Sequence, residues 1–383
     1  MQCRAFSIAL AGICFLLGMQ YALAAEPIRV GVTASLTGDY AKLGRDQLSG
    51  IQMWADDVNA RGALLGRKVE IVHYDDASDP EKSAALYERL ISQDKVDLLL
   101  GPYSSDITLA ASRVVERHNF PMVATGAASA TIWEQGFSNI FQIDAPAGEY
   151  MELPLNLANG KGLKRVALLY ADTDFPREVA DGARSMAAGH GMQIVLDEAY
   201  PQDSQEFDAV ARRLKAADPD VVIGGTYFND SVALVRAIRQ AGLKPKIMVM
   251  TVGPAQEDFG RQLGEDANGV MGAIAWMRSG KMPLAYDFSF RYKQKYGHNA
   301  AVHAAYGYGG GQVLEAAVRL AGALDLDAVR EQLQNMKFRS LLGHYRVDNT
   351  GRQTAKNTFV MQWQNGYRLL VMPEDIADSA VKY

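Results

Sequence analysis

Two short stretches carry the residue types best suited to recognition chemistry. Gly101-Pro102-Tyr103-Ser104-Ser105-Asp106 follows the apolar run Val96–Leu100, and Gly126-Ala127-Ala128-Ser129 follows Pro121–Thr125. Both turns combine small residues with hydroxyls and read as strand-to-helix connections. Ser104, Ser105 and Asp106 supply capping oxygens for a helix starting near Ile107. The free backbone N–H groups of such turns, together with the helix dipole, favour an anion. In a parallel sheet, consecutive turns lie side by side at the carboxyl edge, where open α/β sheets bind ligands. The chemistry expected is therefore a grip on the carboxylate of a small molecule. Ordinary helix capping with no ligand is the alternative for either turn taken alone.

Other chemistries find less support. There is no Gly-x-Ser-x-Gly elbow. The histidines at 73, 118, 190, 298, 303 and 344 show no pair at zinc-binding helical spacing. Asp172-x-Asp174 is too short for a calcium loop. The run Gly307-Tyr308-Gly309-Gly310-Gly311 opens a helix without following a strand, so close helix packing explains it better than a dinucleotide fingerprint. Asp75-Asp76 reads as loop capping. A binding protein rather than an enzyme is expected, with no cofactor and no metal.

The 383 residues allow two domains of ordinary size, and the net charge of −5 argues against a nucleic-acid surface. Residues 1–25 pair Arg4 with an apolar run from Ala5 to Met19 and end in Tyr21-Ala22-Leu23-Ala24-Ala25. That pattern is a secretory signal peptide, cleaved after Ala24 or Ala25. Both cysteines, Cys3 and Cys14, fall inside it, so the mature chain is cysteine-free. No second apolar run reaches membrane-spanning length. A soluble periplasmic protein is expected.

The elements that must position the two turns read as two α/β sets. The first begins with the strand at Ile28–Val32, a helix carrying Leu48, Ile51, Ala55 and Val58, and the strand Val69–Tyr74. Asp79-Pro80 then caps a second helix. After Phe141–Ala145 a second set of the same rhythm runs from Val166 to Ala275. Helices at Pro283–Tyr296, Ala304–Ala321 and Leu326–Asn335 follow, and three strands from Gly343 onward close the chain. The fold class expected is α/β, with two similar doubly wound lobes. No linker rich in Pro, Gly or Ser separates the sets, so short crossings and hinge closure around a ligand are expected.

The chain resembles the periplasmic solute-binding proteins of branched-chain amino-acid type, the type I binding proteins of ABC importers. The resemblance rests on Ile28-Arg29-Val30-Gly31-Val32 with Leu36-Thr37-Gly38, and on Ala55 to Gly62. It also rests on Tyr74-Asp75-Asp76-Ala77-Ser78-Asp79-Pro80, on Gly101 to Ser105, and on Ala241-Gly242-Leu243-Lys244. It implies two lobes joined by a three-segment hinge. Residues 26–145 plus 276–356 would form the first lobe, and 146–275 plus 357–383 the second. It implies a monomer that hands its ligand to the permease subunits of an importer. A ligand sensor feeding a regulator is the other use of the fold.

The same resemblance places the carboxylate grip at Ser105, Gly126 and Ala128, with Ser129 supplying a hydroxyl from a shifted place because the family's threonine is absent. It places Phe175 and Tyr227 over the ligand from the second lobe, with Thr226 as the alternative to Tyr227. Thr251 ends the strand after which the family's amino-acid binders carry a glutamate for the ligand's ammonium. Here Val252-Gly253-Pro254 follows instead, and the nearest acid is Glu257. An ammonium in a closed cleft needs a counter-charge. Either Asp174 or Asp230 provides it, or the ligand has no ammonium. A hydrophobic or aromatic carboxylate packed against Tyr40, Tyr103, Phe175 and Tyr227 is the favoured expectation. The disulfide of some family members has no counterpart, since Ser78 and Ser104 occupy the matching positions.

Overall fold

The computed structural model describes residues 25–279, 281, 283–355 and 358–383. The expected leader, up to residue 24, lies outside them. Two α/β lobes are built on two separate sheets. In the first, β1 (Ile28–Ala34), β2 (Val69–Asp75), β3 (Leu98–Leu100), β4 (Met122–Ala124) and β5 (Ile140–Gln142) are all parallel, in the order β2-β1-β3-β4-β5. The helices α1 (Ala41–Ala60), α2 (Pro80–Ser92) and α3 (Ser105–Arg117) connect its first four strands. Strands β3, β4 and β5 are buried at every residue, as expected of a parallel sheet covered on both faces.

The chain then moves to the second sheet through α4 (Glu152–Gly160). The alternating run there is β6 (Arg165–Ala171), α5 (Asp174–Gly189), β7 (Gln193–Tyr200), α6 (Asp208–Ala217), β8 (Val221–Gly225), α7 (Phe228–Gln240), β9 (Ile247–Met250), α8 (Glu257–Leu263) and β10 (Val270–Ile274). It returns to the first lobe with α9 (Pro283–Tyr296), α10 (Val302–Ala321) and α11 (Leu326–Asn335), followed by the small ribbon β11 (Phe338–Ser340) and β12 (Gly343–Tyr345). Finally β13 (Phe359–Gln364) and β14 (Tyr367–Met372) join the second sheet antiparallel, giving the order β14-β13-β10-β9-β8-β6-β7. The backbone thus passes between the sheets three times.

The first lobe is held by α10 lying directly on α1. A β-carbon at Gly307 would stand 2.1 Å from the Gln47 carbonyl oxygen, and one at Gly311 would stand 2.2 Å from the Trp54 ring. The glycine run is a packing device that lets the two backbones touch. Tyr292 on α9 reaches the Ser49 hydroxyl at 2.6 Å, and Arg291 pairs with Asp57, so α9 belongs to the same layer.

Some elements differ from the sequence reading. The second hydroxyl-bearing turn opens into a single stretch of 3-10 helix, Ala130–Gln135, which Gly136 ends in the left-handed region at φ 75°. Helix α7 starts at Phe228. Tyr227 and Asp230 form a reciprocal cap there without the Ser or Thr that usually signals one. Among the described residues no helix is long and apolar enough to cross a membrane.

Candidate ligand-binding site

The two turns meet at the carboxyl ends of β3 and β4, which are neighbours in the sheet. Ser104 is the N-cap of α3, at φ 75°, and its hydroxyl oxygen accepts from the Ile107 amide at 3.3 Å. Its own amide donates to the Gly126 carbonyl at 3.1 Å, tying one turn to the other. Ser105 lies in the first helical turn, where amides have no intrahelical acceptor. Its Oγ accepts from the amides of Ala128 at 3.3 Å and Ser129 at 3.1 Å. Both acceptor directions are thereby occupied, and the hydroxyl proton remains to donate. Gly126 is tightly packed: a β-carbon would stand 3.1 Å from both the Tyr103 ring and Gln47 Nε2, and both would have to give slightly.

Ser105, Gly126 and Ala128 line a cavity of ≈ 50 Å³ between the lobes, together with Tyr103 from the first lobe and Phe175 and Tyr227 from the second. Tyr40 stands one layer out. Its ring lies 5.4 Å from Tyr103 and 5.2 Å from Tyr227, and its hydroxyl accepts from Gln202 Nε2 at 2.6 Å. Ser129 is fully buried, with its hydroxyl 3.0 Å from that of Thr131 rather than in the cavity wall. Thr251 sits behind the wall. It accepts from the Thr226 amide at 2.7 Å and donates to the Thr226 carbonyl at 2.6 Å, bracing the ends of β8 and β9.

Both acids considered for an ammonium are engaged elsewhere. Asp174 begins α5 and accepts from Thr131 at 3.2 Å. Asp230 accepts from the amides of Tyr227 at 2.8 Å and Ser231 at 2.9 Å and from the Tyr200 hydroxyl at 2.9 Å, and burial pushes its pKa up to about 6. Neither lines the cavity.

An acid that the sequence reading did not single out does line it. Asp144 follows β5 at the first crossing between the sheets and is 4% exposed. It accepts from its neighbour's amide, Ala145, at 2.8 Å and from the Tyr150 hydroxyl at 3.1 Å. Burial pushes its pKa up to about 7, against the lowering effect of the Ala145 amide and the Tyr150 and Tyr306 hydroxyls. His303 and Tyr306 complete this side from α10. His303 packs edge-on against Tyr103 at 4.8 Å and meets Gln256 Nε2 at 3.3 Å through Nδ1. Burial, helped by the charge of Lys42, holds its pKa down to about 3, so it is neutral and offers Asp144 no cation. The available signal for Asp144 was one acid in the otherwise uncharged stretch from Ile140 to Ala147.

On the second lobe's side, Val252 lines the cavity with φ 27°, a conformation that β-branched residues rarely adopt. The lobes are latched beside the cavity by Glu178 on α5. Its carboxylate accepts from the Ala130 amide of the second turn and from the Gly148 amide at 3.3 Å. Among the described residues no cluster of three or more His, Cys, Asp or Glu could hold a metal ion.

Known proteins share this architecture. The family profile described as "Periplasmic binding protein" matches residues 27–368. The "Leu/Ile/Val-binding protein homolog 7" of Brucella suis is 26% identical over 378 residues, covering 94% of each chain. Two solved structures superpose over most of the chain. LivJ of Streptococcus pneumoniae in complex with isoleucine gives a TM-score of 0.81 at 23% identity, covering 89% of this chain and 97% of that one. A solute-binding protein of an ABC transporter from Rhodopseudomonas palustris in complex with benzoate gives 0.79 at 19% identity, covering 90% and 95%.

Proposed function

This chain belongs to the periplasmic binding protein family, of the type I fold shared with the branched-chain amino-acid binders, and from that premise we propose that it is the periplasmic receptor of an ABC importer. It captures a small hydrophobic or aromatic carboxylate between its lobes and delivers it to the permease subunits. The observation that carries this reading is Ser105, which lines the interlobe cavity and whose hydroxyl, accepting from the Ala128 and Ser129 amides, keeps its proton to donate. Phe175, Tyr227, Ile274 and Val302 offer the apolar body of the ligand its surface. The segment Val252-Gly253-Pro254, which matches where the amino-acid binders carry a glutamate, has no acid, and this favours a ligand without an ammonium.

A second reading, a branched-chain amino acid, is favoured by Asp144, a buried carboxyl on the cavity wall with no cation beside it. Calorimetry at pH 7 in buffers of different ionisation enthalpy separates the two. Benzoate would place a second negative charge near Asp144, raise its pKa and draw a proton in. Leucine would place its ammonium there, lower the pKa and expel one. Heat from neither compound, nor from amides or cinnamates, would defeat the carboxylate reading in both forms.

A further inference from the structure

Helix α3 of the first lobe and helix α5 of the second touch across the cleft, and an acid stands at the N-terminal end of each. Asp106 lies in the first turn of α3, and Asp174 is the first residue of α5. Both are half-buried. The Asp174 amide faces the Asp106 carboxylate, so the two acids sit side by side on opposite lobes. Asp106 Oδ2 is closed to solvent and has no hydrogen-bond partner among the described residues. An ionised oxygen shut away without a partner is much costlier than a neutral carboxyl.

The surroundings of Asp106 offer no counter-charge. From α5 it faces the Asp174 carboxylate, which itself accepts from Thr131 at 3.2 Å. From the segments before α1 and α7 it faces the hydroxyls of Tyr40 and Tyr227, whose ionisation its charge opposes. Its own helix supplies a first-turn amide. The cations nearby on α5 and beyond are engaged: Arg177 pairs with Asp172, and Arg352 approaches Glu178 at 3.9 Å. Burial, reinforced by the Asp174 charge, therefore raises the Asp106 pKa above its ordinary 3.8, against the lowering effect of the Asp174 and Asp106 amides. Opening the hinge moves Asp174 away and admits water, which returns Asp106 towards its ordinary value. The closed form thus binds the proton more tightly than the open form, and by linkage the proton favours closure.

We propose that Asp106 and Asp174 form a proton-operated catch between the lobes: uptake of one proton at Asp106 lets the two acids come together and favours the closed receptor, and its loss favours the open one. Closure gains as pH falls from neutral through the closed-state pKa, and the gain is complete below about 3.8. The catch acts on the hinge and does not depend on which ligand the cavity takes.

Small-angle scattering of the unliganded protein between pH 7.5 and 4.5 reads the catch directly. The radius of gyration of the wild type should shift to a smaller value as pH falls. Asp106→Asn, which has the same shape and no charge, should be more compact than the wild type at pH 7.5 and change less across the range. Asp144 and Glu178 are present in both proteins, so the difference between the two profiles belongs to Asp106. Asp174→Asn removes the facing charge and should flatten the profile in the same way; it carries the test if Asp106→Asn does not fold. A wild-type radius that does not move with pH, or superposable profiles for the wild type and the variants, would overturn the proposal. No ligand enters the measurement, so this result and benzoate binding succeed or fail separately.

Discussion

Tyr40 of the first lobe and Tyr227 of the second meet ring to ring, with centroids 5.2 Å apart and planes tilted by 46°. Tyr103 extends the cluster on one side and Phe175 on the other, at 5.4 and 6.2 Å. Aromatic rings from both lobes thus meet at the cavity, and the hinge opening proposed above would separate Tyr40 from Tyr227. An aromatic pair contributes about 0.5–1.5 kcal/mol beyond the area it buries. Tyr40→Ala should therefore speed ligand release by up to about tenfold and change the association rate much less. Stopped-flow fluorescence measures both; an unchanged release rate would remove this contact from the closure mechanism.

Ser105→Ala should weaken carboxylate binding by about 1–3 kcal/mol, since it leaves a buried anion short of one donor. The same change strips the Ala128 and Ser129 amides of their acceptor. Isothermal titration with the best-binding acid gives the answer, and an unaltered dissociation constant would take Ser105 out of the site.

Glu178→Gln tests the latch. Hydrogen bonds to a charged group contribute roughly 1.5–3 kcal/mol, and this carboxylate faces the Ala130 and Gly148 amides at once. The variant should shift the unliganded protein towards an open form, seen as a larger radius of gyration in solution scattering. Saturating ligand should restore the wild-type value.

Asp144 gives the unliganded protein a defined pH signature. Its folded pKa, about 7, lies above the ordinary 3.8, so between these values the folded state holds more protons than the unfolded. Stability from this group therefore falls as pH rises from about 4 to 7. His303, held near 3, acts the opposite way, because the unfolded state takes up its proton below about 6.5. Comparison with Asp144→Asn isolates the first effect. The wild type should lose melting temperature relative to the variant between pH 5 and 7.5, and parallel profiles would contradict a buried, cation-free carboxyl.

Val252→Glu puts an acid on the cavity wall in the segment that matches the amino-acid binders' glutamate. It should raise affinity for leucine relative to benzoate by about tenfold or more, an opposite charge in a closed site contributing well over 1 kcal/mol. Competition between the two ligands on the variant and the wild type is the measurement.

The architecture was legible because its signals are local. Leu98–Leu100 reads as a buried strand from its apolar run, and adjacency of the two turns follows from parallel strand order. Half of the cavity wall was not legible. Asp144 lies in an irregular crossing with no periodicity to mark which way it faces. His303 sits on a helix buried nearly all round, so no polar face betrays that it points to the cleft. Asp230 was weighed as a ligand partner because its capping of α7 involves Tyr227, a residue type that does not announce a cap. Spacing reported the frame. The lobe that α10 comes back to, and the angle at which it does so, depend on long-range packing of Gly307 and Gly311 against α1.

The wall formed by Ala255, Ile274 and Val302 bears on how this receptor could diversify. These three residues line both a chamber of ≈ 50 Å³ and one of ≈ 1050 Å³. Shortening Ile274 or Val302 would enlarge the space on their shared wall, and neither residue belongs to the two turns. A descendant could then accept cargo with a long aryl or acyl tail, threaded from the same anchor out toward the hinge, without rebuilding either lobe.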